Sequence, residues 1–406
     1  MELSRKFSIV SLFLFALSSL PSQASFPVDV AYAPDTNLNL TVSAIKSAQH
    51  SILLNIYELT SPQIADALLG QIRAGVQVQI LEEGQPVGGF SAASKGIESE
   101  LAQAMRAAGK GDHLFVMTAS SGASRRFHFD HGKYAVIDGN ALLIGSENYS
   151  PTGNAVPGTL GNRGWEVVIH NPQIAQNFQA VFQSDAVTTH GDVVDMTGSA
   201  VMISEFQCDD LCLELDARKT MEPFSSSSLG DATFPADAVQ RITSPDSSLS
   251  GLLGLINGAR SSIDIELMTF DSAWPSGSNP LIGALEQAAR RGVKIRVLLN
   301  DEAAFNNNGT GTVNLSSSKN IPTMKILNQF GSGIVAKIAN IKGMGVDYIH
   351  NKGMLVDGNI TLISSINWDA NSIQNNREAA VAISSSAVHA YYEGLFTKDW
   401  QVSGGQ

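Results

Sequence analysis

The alternation of apolar and polar residues divides the chain into two similar halves. Residues 51–57 and 262–268 are mostly apolar runs of strand length, bounded by polar residues. Each run follows a segment with apolar residues at helical spacing, 38–49 in the first half and 249–259 in the second. The same order of elements in both halves indicates an internal duplication.

The duplication continues beyond these first elements. Residues 62–74 and 280–291 both begin with proline, which the first turn of a helix tolerates, and both end at glycine. A further apolar strand then follows in each half, at 75–81 and at 292–298. Strand, helix and strand in this order are typical of a parallel sheet covered by helices. We therefore predict an α/β fold of two pseudo-symmetric halves, each with a mostly parallel β-sheet flanked by helices.

The first 24 residues have the pattern of a cleaved export signal. Arg5 and Lys6 precede an apolar stretch at 7–20, and the tripeptide at 22–24 suits cleavage by signal peptidase. The apolar stretch is shorter than the about 20 residues that span a bilayer. We therefore expect a cleaved leader and a secreted or periplasmic protein.

Residues 190–239 have no repeat partner and are predicted to connect the halves, which are then 25–189 and 240–406. The two cysteines of the chain, Cys208 and Cys212, lie in this connection. In an oxidising compartment we expect a disulfide between them, with two reduced thiols as the alternative. A zinc site is disfavoured because no histidine or further cysteine lies nearby to complete four ligands.

One polar pattern, His-x-Lys with an aspartate after four more residues, occurs once in each half. Each copy is followed, at identical spacing, by a serine and an asparagine. The residues concerned are His131, Lys133, Asp138, Ser146 and Asn148 in the first half, and His350, Lys352, Asp357, Ser365 and Asn367 in the second. Both aspartates begin an Asp-Gly-Asn tripeptide, which is typical of a tight turn. Each motif is therefore predicted to be a hairpin that ends at its asparagine, and a pseudo-twofold axis would bring both into one pocket.

The residue types of this pocket suit phosphodiester chemistry. Lysine and asparagine side chains can donate hydrogen bonds to the non-bridging oxygens of a phosphate. One neutral histidine can attack phosphorus, and a protonated one can pass its proton to the departing oxygen. The carboxylates are not clustered as in a two-metal site, so neither a metal nor another cofactor is predicted.

The duplicated motif resembles the signature of the phospholipase D superfamily, and the resemblance covers essentially the whole chain after the leader. It implies two phospholipase D-like halves with one shared active site and a covalent phosphohistidine that water or an alcohol resolves. By this resemblance His131 is the nucleophile and His350 the general acid and later base, although the symmetry of the sequence alone does not decide the order. Asp138 and Asp357 are then structural residues that fix the hairpins.

The resemblance also implies a glutamate, downstream of each motif, that orients the histidine. Glu378 and Glu166 are the matching positions, at 28 residues (350 to 378) and 35 residues (131 to 166) from the histidines. Ser364 replaces the glycine that stands at Gly145 in the first half. The serines that follow, Ser146 and Ser365, either donate hydrogen bonds or shape the turn.

The motif does not separate phospholipases from nucleases or from cardiolipin-synthase-like transferases, which usually carry a membrane anchor. With 26 Lys and Arg against 38 Asp and Glu, the formal charge is −12, which disfavours broad binding to nucleic acid. We predict an exported phospholipase D that hydrolyses glycerophospholipid head groups during transient contact with a membrane surface. An exported nuclease of the same superfamily is the leading alternative, and a phosphate-binding module without catalysis is another. A monomer is sufficient for an active site, because one chain carries both half-sites.

Overall fold

The computed structural model describes residues 24–109, 111–118, 124–197, 232–304, 318–331 and 333–404. The predicted leader, apart from Ala24, lies outside the described residues, and so do Cys208 and Cys212. The leader and the disulfide therefore stay predictions. In the described part of the chain, no helix is both long enough and apolar enough to cross a membrane.

Each half is built around one large sheet. The strands of the first sheet are β1 (Phe26–Ala33), β2 (Ser51–Ile56), β3 (Gln77–Glu83), β4 (His113–Met117), β5 (Tyr134–Ile137), β6 (Ala141–Gly145), β7 (Gly164–Ile169), β8 (Val194–Asp195) and β9 (Ala232–Ala236). The helices of this half are α1 (Asn37–Ser47), α2 (Pro62–Ala74), α3 (Ala92–Ala108) and α4 (Pro172–Asp185).

The second half repeats the plan. Its strands are β10 (Ala238–Ser244), β11 (Ser262–Leu267), the small hairpin β12 (Ala273–Trp274) and β13 (Gly277–Ser278), β14 (Lys294–Leu299), β15 (Ile334–Ile338), β16 (Lys352–Val356), β17 (Ile360–Ser364) and β18 (Glu378–Ser384). Its helices are α5 (Ser248–Gly258), α6 (Pro280–Arg290), α7 (Asn320–Gln329), α8 (Ile341–Met344), α9 (Ala370–Gln374) and α10 (Ser386–Val402).

The strand orders confirm the α/β class and the duplication. The first sheet has the order β8-β4-β3-β2-β5-β6-β7-β1-β9, and the second β10-β18-β17-β16-β11-β14-β15. Strands β2, β3 and β4 run parallel, as do β11, β14 and β15. The other neighbours in both sheets are antiparallel. Each sheet is therefore mixed: the predicted strand–helix–strand units supply its parallel part, and the motif hairpins supply antiparallel strands.

Local sequence signals explain where the helices begin and end. Helix α2 begins at Pro62, as predicted, and Gly75 follows its last residue with φ of 90°, a conformation that glycine adopts without strain. Ile64, Leu68 and Ile72, spaced by four residues, are buried on one face of this helix. The same proline-first pattern opens α6 at Pro280.

The segment predicted to connect the halves, 190–239, also contributes strands to both sheets. Strand β8 forms one edge of the first sheet, and β9 pairs with β1 at the other edge. Strand β10 already belongs to the second sheet, so the predicted boundary at 239/240 falls inside a strand. An edge strand that occurs in one sheet only has no counterpart in the other half, so the repeat in the sequence does not predict it.

The two halves share a hydrophobic core. Trp165 on β7 stacks on Tyr392 of α10, with ring centroids 4.7 Å apart. The Tyr392 hydroxyl donates to the carbonyl oxygens of Ala31 (3.0 Å) and Glu166 (2.7 Å) in the first half. Because apolar surface from both halves is buried together, their relative position is fixed by the same packing that forms the core.

Candidate active site

Each histidine–lysine pair lies at the start of its hairpin, and each asparagine lies beyond the end of it. Lys133 directly precedes β5, with His131 two residues before it, whereas Lys352 is the first residue of β16. The second strand of each hairpin was predicted to reach Asn148 or Asn367, but β6 ends at Gly145 and β17 at Ser364.

The early end of β6 has a local cause. Past Ser146, whose N–H still donates to the carbonyl of Trp165, the chain leaves β7 and pairs with the segment that follows β2. The N–H of Tyr149 donates to the carbonyl of Glu58 at 3.0 Å, and the N–H of Thr60 donates to the carbonyl of Tyr149 at 2.7 Å. Asn148 therefore lies where the ends of β2 and β6 meet.

Backbone hydrogen bonds join each histidine to the opposite half. The N–H of His131 donates to the carbonyl of Arg377 (2.7 Å), and the N–H of Arg377 donates back to Phe129 (2.8 Å). The second half repeats this arrangement, since the N–H of His350 donates to the carbonyl of Arg163 at 2.9 Å. These two short pairings bring the motifs to one place at the junction of the halves.

Each histidine also contacts a carboxylate of the opposite half. Nδ1 of His131 lies 2.8 Å from Oε2 of Glu378, and Nδ1 of His350 lies 3.2 Å from Oε2 of Glu147. All four side chains are at most 13% exposed. A carboxylate on Nδ1 holds the ring so that Nε2 is available to react. Glu378 was predicted to orient a histidine, and the structure places it on His131 rather than on the histidine of its own half.

Glu166 was predicted to orient a histidine, but it contacts neither of the two. Its carboxylate accepts a hydrogen bond from Thr41 Oγ1. Burial raises the pKa of Glu166 to about 8, against the opposing effect of that hydrogen bond. Glu166 lies on β7 two residues past Gly164, about 6.6 Å further from the strand end that adjoins the site. Sequence reasoning missed Glu147, although this residue stands between the motif residues Ser146 and Asn148.

The two lysines are buried beside the histidines. Lys133 Nζ donates to the carbonyl of His131 at 2.8 Å, and Lys352 Nζ donates to that of His350 at 2.5 Å. Burial lowers the pKa of Lys133 to about 8. Burial and the charge of Lys133 lower the pKa of Lys352 to about 7, against the opposing effect of Glu147. Lysines from both halves thus act on each other, as expected for a single site.

Burial also lowers the pKa of both histidines. For His131, the Glu378 carboxylate opposes this effect. For His350, burial and the charge of Lys352 lower the pKa to about 4. Both rings are therefore mainly neutral at pH 7 in the free protein. A bound phosphate would raise these pKa values, because a nearby anion favours the protonated ring.

The side chains that surround the two motifs differ. On the first side, the Tyr57 ring lies edge-on to His131 at 4.7 Å, and Asn148 Nδ2 donates to Glu58 Oε2 at 3.2 Å. On the second side, Lys352 Nζ lies 3.4 Å from the sulfur of Met268. The site is therefore symmetric in its reactive groups but not in its lining.

The motif aspartates are engaged by backbone. Asp138 accepts three N–H donors from residues 49–51, at 2.7 to 2.8 Å, and Asp357 accepts three from residues 260–262, at 2.7 to 3.0 Å. Burial raises the pKa of both carboxyls, but the N–H donors outweigh it and hold each pKa below its ordinary value. The two aspartates thus fix the loops that lead into β2 and β11.

The motif serines contact the carboxylates of the site. Ser365 Oγ donates to Glu378 Oε2 at 2.6 Å, and Ser146 Oγ lies 3.4 Å from Glu147 Oε1. Each hydroxyl also accepts a backbone N–H from the neighbouring strand. Of the two predicted roles, hydrogen bonding is therefore present in both halves. Within the described ranges, no group of three or more His, Cys, Asp or Glu residues is arranged to hold a metal ion.

Comparisons with known proteins agree with this architecture. The family model described as "Cardiolipin synthase, PLD-like domain" matches residues 41–186 and 252–400. The mitochondrial cardiolipin hydrolase of Mus musculus is 28% identical over 158 residues, which cover 38% of this chain and 59% of that protein. Its counterpart from Homo sapiens is 27% identical over 158 residues, covering 38% of this chain and 52% of that protein. The chain thus spans only about half to three fifths of the length of these relatives.

A solved structure resembles the chain over a longer range. The phosphatidylserine synthase of Haemophilus influenzae Rd KW20 has a TM-score of 0.65 and 13% sequence identity, over 92% of this chain and 88% of that chain. This likeness shows a common fold. The family model matches one segment in each half, and together the two segments cover more than half of the chain. The chain therefore belongs to the phospholipase D superfamily, in the family described as cardiolipin synthase, PLD-like domain.

Proposed function

We propose that the protein is an exported, metal-independent phosphodiesterase that hydrolyses the head groups of glycerophospholipids through a phosphohistidine. One observation carries the proposal. Two buried histidines meet at the junction of the halves, each with a carboxylate on Nδ1 and each beside a buried lysine. This arrangement supplies a nucleophile, a proton donor and positive charge for the phosphate.

In the first step, Nε2 of one histidine attacks phosphorus and the bond to the head-group oxygen breaks. The second histidine, protonated, gives its proton to the departing alcohol. In the second step, the same histidine takes a proton from water, which attacks phosphorus and breaks the P–N bond, releasing phosphatidic acid. The charged Lys133 and Lys352, with the amides of Asn148 and Asn367, stabilise the non-bridging oxygens.

Two exposed valines support a lipid substrate. Val87 is 78% exposed, and its N–H donates to the hydroxyl of Tyr57 (2.7 Å), which packs on His131. Val156 is 45% exposed and lies in the loop that follows Asn148. In the same loop, Asn154 Nδ2 donates to the carbonyl of Asn148 at 2.9 Å, so both loops are tied to the site. Apolar tips beside a site favour contact with a lipid surface.

Substitution of Val87 or Val156 by aspartate is expected to lower hydrolysis of phosphatidylcholine vesicles by about tenfold. The reason is that the burial of one valine contributes about 1.5 kcal/mol or more, and a new charge opposes an apolar contact. Activity on a soluble chromogenic phosphodiester should be unchanged. Val335→Asp is the matched control, because Val335 is exposed on β15 (49%), and its substitution should leave both activities unchanged. Full vesicle activity in the Val87 and Val156 variants would contradict the lipid-surface contact.

The substrate class is tested with purified protein in excess EDTA. Phosphatidylcholine vesicles, single-stranded DNA and a chromogenic phosphodiester are offered separately. Choline release supports the phospholipase, whereas DNA cleavage without choline release replaces it with the nuclease. Inactivity on every substrate would favour the phosphate-binding module, and loss of activity specifically on EDTA treatment would contradict the metal-free mechanism.

The low pKa of Lys352 predicts the pH dependence of kcat/KM, which reports on the free enzyme. Lys352 loses its charge as pH rises through about 7. Above that pH, loss of the Lys352 charge is expected to lower kcat/KM about tenfold for each pH unit, in addition to the effect of any other group. In Lys352→Arg the guanidinium stays charged, so this additional fall should disappear from the profile, whatever the absolute rate. An unchanged profile in the variant would assign the fall to another group.

Export is tested by expressing the full chain with a C-terminal tag. We expect the protein outside the cytoplasm, with a mature N-terminus at Ser25. A tagged protein that keeps its first 24 residues and stays in the cytoplasm would remove export from the proposal.

A further inference from the structure

The two histidine-bound glutamates come from different sequence positions. Arg163 and Arg377 make the same backbone pairing with the opposite motif, and each precedes the first residue of a strand, β7 or β18. Gly164 is therefore the structural counterpart of Glu378. The first half has no carboxylate at this place, where the second half has one.

Glu147 has the opposite relation to its counterpart. The hairpin tails align Ser146 with Ser365, since each N–H donates to the carbonyl of the neighbouring strand, that of Trp165 or Ala379. The residue after Ser365 is Ile366, which is fully buried in the apolar core of the second half. Glu147 thus stands where the second half has an apolar residue.

Despite these different origins, the two carboxylates have the same set of partners. Glu378 Oε1 accepts from Asn376 Nδ2 at 2.9 Å, and Glu147 Oε2 accepts from Asn162 Nδ2 at 2.9 Å. Asn162 and Asn376 are themselves counterparts, each directly preceding the paired arginine. The serine of the hairpin tail and the histidine of the opposite half complete both sets.

The space beside Gly164 explains how this is possible. A Cβ added to Gly164 would lie 2.1 Å from Oε1 and 2.7 Å from Cδ of Glu147. The carboxylate of Glu147 therefore occupies the volume that a side chain at 164 would need. No side chain larger than hydrogen fits there while Glu147 keeps its position.

We propose that Glu147 is the positioning residue of His350, in place of the carboxylate that the second half supplies from Glu378. In this arrangement the functional group has moved from the first residue of β7 to the tail of the hairpin, and Gly164 leaves room for it. Glu147 holds the proton on Nδ1 of His350, so that Nε2 faces the substrate. The effect on catalysis rests on the proposed function, whereas the effect on the tautomer of His350 does not.

The test moves the carboxylate from position 147 to position 164, the counterpart of Glu378. Glu147→Ile is expected to lower kcat/KM by about 10²-fold for a soluble phosphodiester whose departing alcohol must be protonated, as for other groups that orient a reactive histidine. The double variant Glu147→Ile with Gly164→Glu should recover to within about tenfold of wild type. Gly164→Glu alone should fold poorly, because two carboxylates would compete for one space. A folded double variant without recovery would overturn the proposal.

A second readout does not depend on activity. Nitrogen-15 NMR of the imidazoles at pH 7 reports the tautomer of His350, assigned with His350→Gln. We expect the Nδ1–H form in wild type, a shift towards Nε2–H in Glu147→Ala, and no change at His131, which Glu378 holds. If the double variant does not fold, Glu147→Ala decides, and an unchanged Nδ1–H signal would overturn the proposal. Wild type that hydrolyses no phosphodiester but shows these signals would contradict the proposed function alone.

Discussion

Replacing His131 or His350 by alanine is expected to lower kcat/KM for phosphodiester hydrolysis by about 10⁴-fold. One substitution removes the nucleophile, and the other removes the group that protonates the departing alcohol and later activates water. Because the two histidines act in sequence on one phosphorus atom, the double variant should be little slower than either single variant. Rates with a soluble phosphodiester whose departing alcohol must be protonated, over a wide range of enzyme concentration, measure all three losses.

The two variants should differ when the leaving group needs no proton. With a p-nitrophenyl phosphodiester, His350→Ala is expected to release a burst of p-nitrophenol equal to the enzyme and then stall. His131 can still attack phosphorus in that variant, but no base remains to activate water. Intact-mass and peptide mass spectrometry should then locate the phosphoryl adduct on His131. A burst in His131→Ala instead, with the adduct on His350, would exchange the two roles.

His128 provides a matched control for both substitutions. It lies three residues before His131, and its ring packs edge-on against Phe129 at 4.5 Å. His128→Ala should retain a rate close to wild type. Loss of activity in all three variants to the same degree would indicate a general disturbance of this segment instead of chemistry at His131.

The sequence predicts the elements of the fold well, because their signals are local. Prolines at 62 and 280 and the glycine after each helix mark boundaries that the structure reproduces within a residue or two. The reactive histidines, lysines and asparagines are recognisable for a different reason. Chance rarely places the same polar pattern twice at the same point of two repeats. Edge strands such as β9 are absent from that signal, because they occur in one half only.

The carboxylates of the site could not be predicted in the same way. Their contacts cross between the halves, so they depend on how two sheets dock, and no local pattern encodes this. Glu166 matches the surroundings of Glu378 in sequence but lies two residues too far along β7. Comparing the two halves does not reveal Glu147, since its counterpart in the second half is Ile366. Symmetry identifies groups that both halves keep and overlooks a group that has moved.

Arg377→Met is expected to lower the free energy of unfolding by about 3–5 kcal/mol, because it leaves a buried charge without a partner. Arg377 is 9% exposed, and its Nε lies 2.8 Å from Oδ2 of Asp185, which is 1% exposed. It also binds Asp246 at 2.6 Å and the carbonyl of Ser244 at 2.9 Å. Urea unfolding followed by circular dichroism measures the loss. Arg290→Met is the matched control: Arg290 is 76% exposed and pairs with Glu286 one turn away, so the change should stay within about 0.5 kcal/mol.

The loss in Arg377→Met should depend on pH in a direction that identifies Asp185 as its cause. Burial raises the pKa of Asp185 to about 6 in the folded protein, although Arg377 opposes the shift. Without Arg377 the folded pKa rises further, whereas the unfolded pKa stays near 3.8. A group whose folded pKa is raised loses its stabilising contribution as pH rises from the unfolded to the folded value. The variant should therefore be closest to wild type near pH 4 and furthest from it near pH 8. An equal loss at both pH values would assign the effect to lost packing against Phe127, whose ring centroid lies 4.2 Å from the guanidinium carbon, instead of to the unpaired carboxylate.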